Sequence, residues 1–240
     1  MRLLLIGHGR MGQLVESLAP SYGCEIAAVI DETAGEFAIE RGKFGQVDVA
    51  IDFSLAEAVP VNLPQLAARR LNVVMGTTGW QAHEAEMKAI AGRAGIGVLA
   101  AANFSLGMQI FQLAVEAAAA KFAARSDYGA WIHEGHHAAK RDAPSGTALM
   151  LKSAMERAGF GRTIDVSSTR AGSAPGIHTV GFDGPSDTVT LTHEVRDRAV
   201  FARGAIEAAK WLQGRRGWFT MRDMISDTGS GPSAQADLTP

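Results

Sequence analysis

The sequence predicts an α/β protein with two domains: a doubly wound parallel sheet, then an α+β domain with an open mixed sheet. Before residue 105, short apolar runs alternate five times with helical stretches, the pattern of a parallel sheet covered by helices. After residue 105, two helical stretches and several strand-like segments follow without this alternation. We therefore expect domains over residues 1–104 and 105–204.

The strands of the first domain are expected where apolar runs are short and continuous, as in strands buried on both faces. Between the first two strands, apolar residues from Met11 to Ala19 recur at helical spacing until Pro20, which ends the helix. A second helix is expected over residues 81–94. The five strands are expected at residues 2–6, 25–30, 47–53, 72–75 and 97–101.

The segment after the third strand carries two conflicting helix signals. Ser54 and Glu57 have the spacing of a capping box, which predicts a helix start. Pro60 and Pro64 lie in the region that should then be helical, and an interior proline removes a hydrogen bond. We therefore expect a short or broken helix here.

The second domain is expected to alternate helices and strands less regularly. Its helices are expected over residues 105–124 and 146–158, and its strands over 128–137, 164–169, 178–182 and 188–193. A last helix is expected over residues 202–212. The tail from residue 226 to 240 has few apolar residues, so we expect it to be flexible.

Composition excludes several classes of protein. The 23 basic residues are balanced by 25 acidic ones, so the surplus positive charge that favours nucleic acid is missing. No apolar run approaches the roughly 20 residues that span a bilayer, and the first one is too short for a signal peptide. The single Cys24 suits a reducing compartment. We expect a cytoplasmic protein with no nucleic-acid or membrane partner.

A glycine-rich turn follows the first predicted strand and precedes the first predicted helix. In this context a G-x-G-x-x-G pattern is typical of a dinucleotide site, since glycines let the backbone approach a pyrophosphate at a helix start. The alternative is a sharp turn without a ligand. The candidate residues are Gly7, His8, Gly9, Arg10, Met11 and Gly12.

An acidic residue ends the second predicted strand. Asp31 lies at about the spacing at which a carboxylate binds the adenosine ribose of the dinucleotide. Glu32 follows where an arginine would favour a 2′-phosphate, and two carboxylates would repel that phosphate. The sequence therefore predicts NADH as the preferred cofactor, with NADPH possible.

Two further turns follow the fourth and fifth predicted strands, at the edge of the sheet where ligands bind. Singly, each could be a connecting loop, but together with the first turn they outline one crevice. The candidate cofactor contacts in them are Gly76, Thr77, Thr78, Ala101, Ala102, Asn103 and Phe104.

Three of the seven histidines lie close together between residues 133 and 137, and Lys140 follows them. A Pro-Ser-Gly-Thr turn then opens a helix, whose free N–H groups suit a carboxylate. Lys140 could neutralise the same anion or donate a proton. A metal site is less favoured, because the chain has one cysteine and no H-E-x-x-H motif. A solvated polar loop is the remaining alternative.

Several motifs together resemble the dihydrodipicolinate reductase family, over residues 2–225. The first three are G-H-G-R-M-G from Gly7, G-T-T-G from Gly76 and A-A-N-F-S-x-G from Ala101. The most specific is E-x-H-H-x-x-K-x-D-A-P-S-G-T-A from Glu134. Similar stretches also begin at Arg170 (R-x-G-x-x-x-G-x-H), Phe201 (F-A-x-G-A-x-x-A-A-x-W) and Met221 (M-R-D).

This resemblance implies a reductase that transfers hydride from a nicotinamide cofactor to C4 of a cyclic dicarboxylic imine, with loss of the 4-hydroxyl group. The product would be tetrahydrodipicolinate, in lysine and diaminopimelate biosynthesis. The resemblance also implies that residues 205–225 pack back on the first domain and that the protein is a homotetramer. It assigns catalysis to His136 and Lys140, and substrate binding to His137, Ser145, Gly146 and Thr147.

Two alternatives share the predicted cofactor domain. One is another nicotinamide-dependent dehydrogenase acting on an amino or imino acid, which explains the segment from Glu134 to Thr147 less well. The other is a non-catalytic protein that binds NADH.

Overall fold

The computed structural model describes residues 1–31, 33 and 38–227. The chain divides into two units. Of the described residues, the first unit contains those between Met1 and Ser105 and those from Ala199 to Asp227, and the second is Leu106–Arg198. The chain thus returns to the first unit at Ala199, earlier than the expected residue 205. Most of the tail that we expected to be flexible, residues 228–240, lies outside the described residues.

The first unit is built on a six-stranded, fully parallel sheet. Its strands are β1 (Arg2–Ile6), β2 (Glu25–Ile30), β3 (Val49–Asp52), β4 (Asn72–Met75), β5 (Gly97–Ala100) and β10 (Gly217–Phe219). Their order is β10-β5-β4-β3-β1-β2. The five predicted strands are confirmed, and β10 is a strand that the sequence pattern did not indicate. It has three residues and no continuous apolar run, so its pairing with β5 decides its structure.

Helices surround this sheet. They are α1 (Arg10–Leu18), α2 (Ala38–Arg41), α3 (Val59–Ala68), α4 (Glu84–Ala94), α7 (Ala199–Leu212) and α8 (Met221–Ser226). Short 3₁₀ segments precede α3 and α4 and follow α1. The central strands are enclosed, since Leu3, Leu4 and Leu5 are all fully buried. This is why their sequence is continuously apolar.

The expected break after β3 is wrong, because α3 continues through Pro64 for ten residues. Pro60 is in the first turn, where its missing N–H would have had no helical partner. Pro64 does lose one hydrogen bond, but Leu63 and Leu66 beside it are fully buried, which offsets that loss. The expected capping box is also wrong, because the hydroxyl of Ser54 donates to a carboxylate of β3 instead.

The second unit is a four-stranded mixed sheet with two helices on one face. Its elements are α5 (Leu106–Ala123), β6 (Gly129–His136), α6 (Gly146–Arg157), β7 (Ile164–Arg170), β8 (Ile177–Asp183) and β9 (Thr188–Glu194). The strand order is β7-β6-β8-β9, with β6 and β7 parallel and the other pairs antiparallel. These elements confirm the expected α+β domain. Within the described residues, no helix is both long and apolar enough to cross a membrane.

Strand register decides which side chains of the second unit share a face. Ile132 and Val180 pair and are fully buried in the core with the helices. The next pair along the same face, Glu134 and His178, is also buried. Polar side chains at the end of this face are therefore held in the apolar layer between sheet and helices.

Candidate active site

A cavity of about 570 Å³ lies at the carboxyl ends of β1, β2 and β3. Its lining includes four of the residues predicted to contact a cofactor: Gly7, His8, Gly9 and Asp31. The other lining residues are Ile6, Ile30, Thr33, Phe53, Ser54, Leu55, Ala58, Val61 and Asn62. Open parallel sheets bind nucleotides at this edge.

The glycines of the first turn have different roles. Gly7 has a φ of +85°, and a Cβ there would lie 2.4 Å from the carbonyl oxygen of Phe53. A Cβ on Gly12 would lie 2.1 Å from the carbonyl oxygen of Gly7. Gly9 is the N-cap of α1 and has open space where a Cβ would be. The turn thus requires glycine at positions 7 and 12, and a ligand can approach its backbone at Gly9. Arg10 and Met11 lie in the first turn of α1, whose N–H groups lack helical partners.

Asp31 extends from the end of β2 into the cavity lining. Its Oδ1 accepts hydrogen bonds from the backbone N–H of Thr33 at 2.9 Å and from the Thr33 hydroxyl at 2.6 Å. These bonds hold the pKa of the Asp31 carboxyl below its usual value, so the group is a carboxylate at neutral pH. Glu32, the second predicted acid, lies outside the described residues.

The predicted turns after β4 and β5 are held beside this cavity by Phe53. A Cβ on Gly76 would lie 2.1 Å from Cε1 of Phe53, and the ring of Phe104 makes an edge contact with it at 6.0 Å between centroids. Among the described residues, none of the cavity lining comes from these two turns, which hold Gly76, Thr77, Thr78, Ala101, Ala102, Asn103 and Phe104. Their contact with a cofactor remains a prediction.

A buried carboxylate, which was not predicted from the sequence, joins the end of β3 to the residues that follow it and to the turn after β4. Asp52, at the end of β3, is fully buried. Its Oδ1 accepts from the Ser54 N–H at 2.9 Å, the Ser54 hydroxyl at 2.6 Å and the Thr77 hydroxyl at 2.9 Å. Asn62 approaches its Oδ2 at 3.4 Å. Burial raises the pKa of Asp52, and these hydrogen bonds oppose that shift.

The second unit contains a network centred on Glu134 of β6, which is fully buried. Arg170 of β7 donates to both of its oxygens, at 2.6 and 2.9 Å. The ring Nδ1 of His136 is also hydrogen-bonded to this carboxylate. Burial alone would raise the pKa of Glu134, but hydrogen bonds from Arg170, Ser168, His136 and Ser145 outweigh it and lower the pKa to about 2.

The first turn of α6 is attached to the same network. Ser145 is the helix N-cap, and its Oγ accepts from the Ala148 N–H at 3.1 Å. That Oγ also lies 3.1 Å from Nε2 of His178, whose ring is 3% exposed. Burial, followed by repulsion from His136, lowers the pKa of His178 to about 4. His178 is therefore neutral at pH 7 and bonded to the N-cap.

Lys140 and His137 lie after β6, each with a polar partner. Lys140 Nζ donates to the two carboxylate oxygens of Asp142 at 2.7 and 2.9 Å. That carboxylate also accepts from the Gly146 N–H, and its pKa is lowered, chiefly by Lys140. Arg198 lies 3.4 Å from Nε2 of His137. Lys140 and the Gly146 N–H, which are predicted to act on a substrate carboxylate, thus already bind the carboxylate of Asp142.

Three of these groups could in principle converge on a metal ion. The ligand atoms of Glu134, His136 and His178 lie within 4.8 Å of one another. However, the guanidinium of Arg170 already donates to both oxygens of Glu134, and a second cation there would be repelled by it. The donor set favours an ion pair over a metal site.

Comparison with known proteins gives the family. Residues 1–104 match the model described as dihydrodipicolinate reductase, N-terminus, and residues 107–225 match its C-terminal counterpart. The chain belongs to the dihydrodipicolinate reductase family. It is therefore a reductase that uses a nicotinamide cofactor.

Individual relatives agree with this assignment. A 4-hydroxy-tetrahydrodipicolinate reductase of Christiangramia forsetii is 33% identical, covering 95% of this chain and 98% of the relative. One from Stenotrophomonas maltophilia is 38% identical, covering 94% and 98%. The dipicolinate-bound dihydrodipicolinate reductase of Paenisporosarcina sp. TG-14 has a TM-score of 0.77 at 21% identity, covering 92% of this chain and 97% of that one. This last likeness concerns the fold alone.

The structure brings together part of the predicted reductase site. His136 and Ser145 are hydrogen-bonded to Glu134, and Asp142 links Lys140 to Gly146 at the same helix start. Thr147 is in the first turn of α6. Glu134, Arg170 and His178 were not assigned roles from the sequence. All three lie in sequence stretches that resemble the family, but the sequence did not show that their side chains form one network.

Proposed function

We propose that this reductase converts 4-hydroxy-tetrahydrodipicolinate to tetrahydrodipicolinate. The observation that carries the proposal is the match of both family models together with the His136–Glu134–Ser145 arrangement at the start of α6. The relatives described above carry the name of this activity over nearly their whole length. Tetrahydrodipicolinate formation places the enzyme in lysine and diaminopimelate biosynthesis.

The cofactor half of the proposal assigns the dinucleotide to the cavity at the ends of β1, β2 and β3. The approachable turn at Gly9 suits a pyrophosphate, and the ionised Asp31 suits a ribose with free hydroxyls. When bound, the nicotinamide supplies hydride. Because Asp31 is a carboxylate, NADH is the preferred form.

The substrate half of the proposal assigns the two carboxylates to donors near α6. The N–H groups of Gly146 and Thr147 and the Ser145 hydroxyl lie at the positive end of the helix dipole. His137 is assigned to the same substrate, and Arg198 lies 3.4 Å from its Nε2. A substrate carboxylate that binds there replaces Asp142 on Gly146 and on Lys140.

Lys140 and His136 are the proposed catalytic residues. Addition of hydride at C4 pushes electrons into the ring, which then needs a proton and a neighbouring positive charge. An ammonium group is protonated at neutral pH and serves both needs once Lys140 leaves Asp142. His136 is held by Glu134 with its other ring nitrogen free to exchange a proton.

Assembly into a homotetramer is part of the proposal. The helices α5 and α6 pack on the Ile132 face of the second sheet. The opposite face presents Trp131 and the threonines of β8 and β9. A sheet face of this size is commonly covered by another subunit.

The reaction is tested by coupling the preceding synthase, fed pyruvate and aspartate semialdehyde, to this enzyme and recording NADH absorbance. His136→Ala and Lys140→Ala should each lower turnover by about 100-fold or more, with NADH binding little changed. Lys152→Ala on α6 is the matched control. No oxidation above background would instead favour a dehydrogenase for another imino acid. Normal turnover by both alanine variants would refute the assigned mechanism.

Cofactor preference is tested by kcat/KM for NADH and NADPH. A 2′-phosphate carries nearly two negative charges, and each costs about 1 kcal/mol beside a carboxylate in water. We therefore expect roughly a tenfold or greater preference for NADH, which Asp31→Ala reduces. A clear NADPH preference of the wild type contradicts the role given to Asp31.

A further inference from the structure

The buried carboxylate of Glu134 contacts two separate parts of the proposed substrate site. One is the ring of His136, through Nδ1. The other is the start of α6, where the Ser145 N–H donates to Oε1 at 3.2 Å. Arg170 neutralises the carboxylate from β7 and also donates to the Asp142 carbonyl at 2.5 Å. One side chain thus joins β6, β7 and α6.

We propose that Glu134 is a positioning residue of the reductase, which fixes the protonated nitrogen of His136 and holds the first turn of α6 against that ring. The proposal rests on the proposed function, because His136 and the start of α6 have their roles only there. Glu134 itself does not touch the substrate, since it is fully buried and its oxygens are occupied by the groups just described.

The tautomer of His136 follows from the state of its partner. Glu134 is ionised at neutral pH, and an ionised carboxylate can only accept hydrogen bonds. Nδ1 of His136 must therefore carry the hydrogen. Burial lowers the pKa of His136, against the opposing effect of Glu134, so the ring is neutral at pH 7. Nε2 is then left as an unprotonated acceptor.

The side chain of His136 is 11% exposed, and no hydrogen bond of its Nε2 is seen among the described residues. Nε2 faces Gly176, where a Cβ would come within 3.0 Å of it, so any larger residue would press on the ring. The charged and titratable groups around the ring are Glu134 on its own strand, Arg170, Lys140 and His178, whose ring lies 5.2 Å from that of His136. Of these, Glu134 accepts from Nδ1, while Arg170 and Lys140 disfavour the protonated ring. The network therefore keeps His136 neutral, with Nε2 ready to accept a proton.

The same carboxylate fixes which amides of α6 remain for the substrate. Ser145 uses its N–H on Glu134 and its Oγ on the Ala148 N–H. The backbone N–H groups left for a substrate carboxylate are therefore those of the following residues, Gly146 and Thr147. In the proposed role, moving the Glu134 carboxylate would shift the His136 ring and these amides together. If Glu134 only formed an ion pair with Arg170, neither would need to move.

The first test is the ring of His136 in the wild-type enzyme. At pH 7.5, ¹⁵N NMR of the histidine-labelled protein should show His136 as the Nδ1–H tautomer, its signals assigned by their loss in His136→Gln. An Nε2–H or doubly protonated ring would overturn the proposal. This measurement needs no turnover, so it stands apart from failure of the proposed function, which would appear as an inactive wild type.

The second test is Glu134→Gln, with the exposed Glu156→Gln on α6 as control. The glutamine amide can donate to Nδ1, which moves the ring hydrogen to Nε2. We expect that tautomer change, a fall in kcat of about 100-fold and a change in KM for NADH of less than about threefold. Glu134→Asp keeps the charge for Arg170 and should keep the Nδ1–H tautomer with a smaller loss. If Glu134→Gln does not fold, Glu134→Asp is the test, and an Nε2–H tautomer of His136 in that variant overturns the proposal. A folded Glu134→Gln with the kcat of the wild type also overturns it.

Discussion

Lowering the pH from 7 to 5 should destabilise the second unit through His178. The ring is 3% exposed, and its pKa in the folded state is about 4. In the unfolded chain a histidine has a pKa of about 6.5. Because the folded pKa is the lower one, the stabilisation is fully present above about pH 6.5 and is lost as the pH falls towards 4.

The magnitude follows from the two pKa values. At pH 5 the unfolded ring is almost fully protonated, whereas the folded ring is mostly neutral. The resulting loss of unfolding free energy between pH 7 and pH 5 is about 2 kcal/mol. The main cause is burial, and the charges that face the ring belong to His136, Glu134, His193 and Lys140.

The assay compares wild type with His178→Gln, whose amide can form a hydrogen bond with the Ser145 hydroxyl in either direction but does not titrate. Urea unfolding is followed by hydrogen exchange in peptides from β6 and β8, so the second unit is measured by itself. Between pH 7 and pH 5, the free energy of unfolding of His178→Gln should fall by about 2 kcal/mol less than that of the wild type. Ser145→Ala, which keeps the ring, should retain the pH-dependent loss. Equal pH dependence of wild type and His178→Gln would refute the reasoning.

Two further predictions concern the first unit. Asp52→Asn keeps an acceptor for Ser54 and Thr77 and should lower the free energy of unfolding, measured in urea, by less than about 1 kcal/mol. Asp52→Ala leaves these groups unpaired and should lower it by about 3 kcal/mol. Equal losses in the two variants would contradict the role of the acceptor. Gly204→Ala in α7 should cost about 2 kcal/mol, because its Cβ would lie 1.8 Å from the Phe104 carbonyl oxygen. Gly92→Ala in α4 has open space and should be neutral or stabilising; similar effects at both glycines would rule out the clash.

The parts of the fold that were predictable are those where a local pattern and the tertiary structure agree. Strands β1, β3, β4 and β5 are largely enclosed on both faces, so most of their residues are apolar and the runs are visible in the sequence. The N-cap of α6 was visible as well, because Ser145 does cap that helix. At these places the burial requirement and the local propensity favour the same structure.

The prediction failed where burial or strand pairing in the folded protein decided the outcome. Ser54 has the local pattern of a capping residue, but the buried carboxylate of Asp52 takes its hydroxyl. Pro64 predicts a broken helix, but the burial of Leu63 and Leu66 keeps α3 continuous. Likewise β10 exists because β5 has an unpaired edge. Asp52, Leu63 and Leu66 are close in the sequence, but their complete burial depends on the rest of the sheet and its helices, which the local pattern does not show.

The candidate site shows how a chain with a formal charge of −2 can bind a dicarboxylate. Its cations are already paired, Arg170 with the buried Glu134 and Lys140 with Asp142. Asp142 is more than half exposed and accepts from both Lys140 and the Gly146 N–H, so a substrate carboxylate can take its place without leaving a charge buried and unpaired. Arg170 has no such freedom, because removing it would strand Glu134 in the apolar layer. The proposed site is therefore divided into a part around Lys140, whose partner can be exchanged for a substrate carboxylate, and a part around Arg170 and Glu134, whose pairing is permanent.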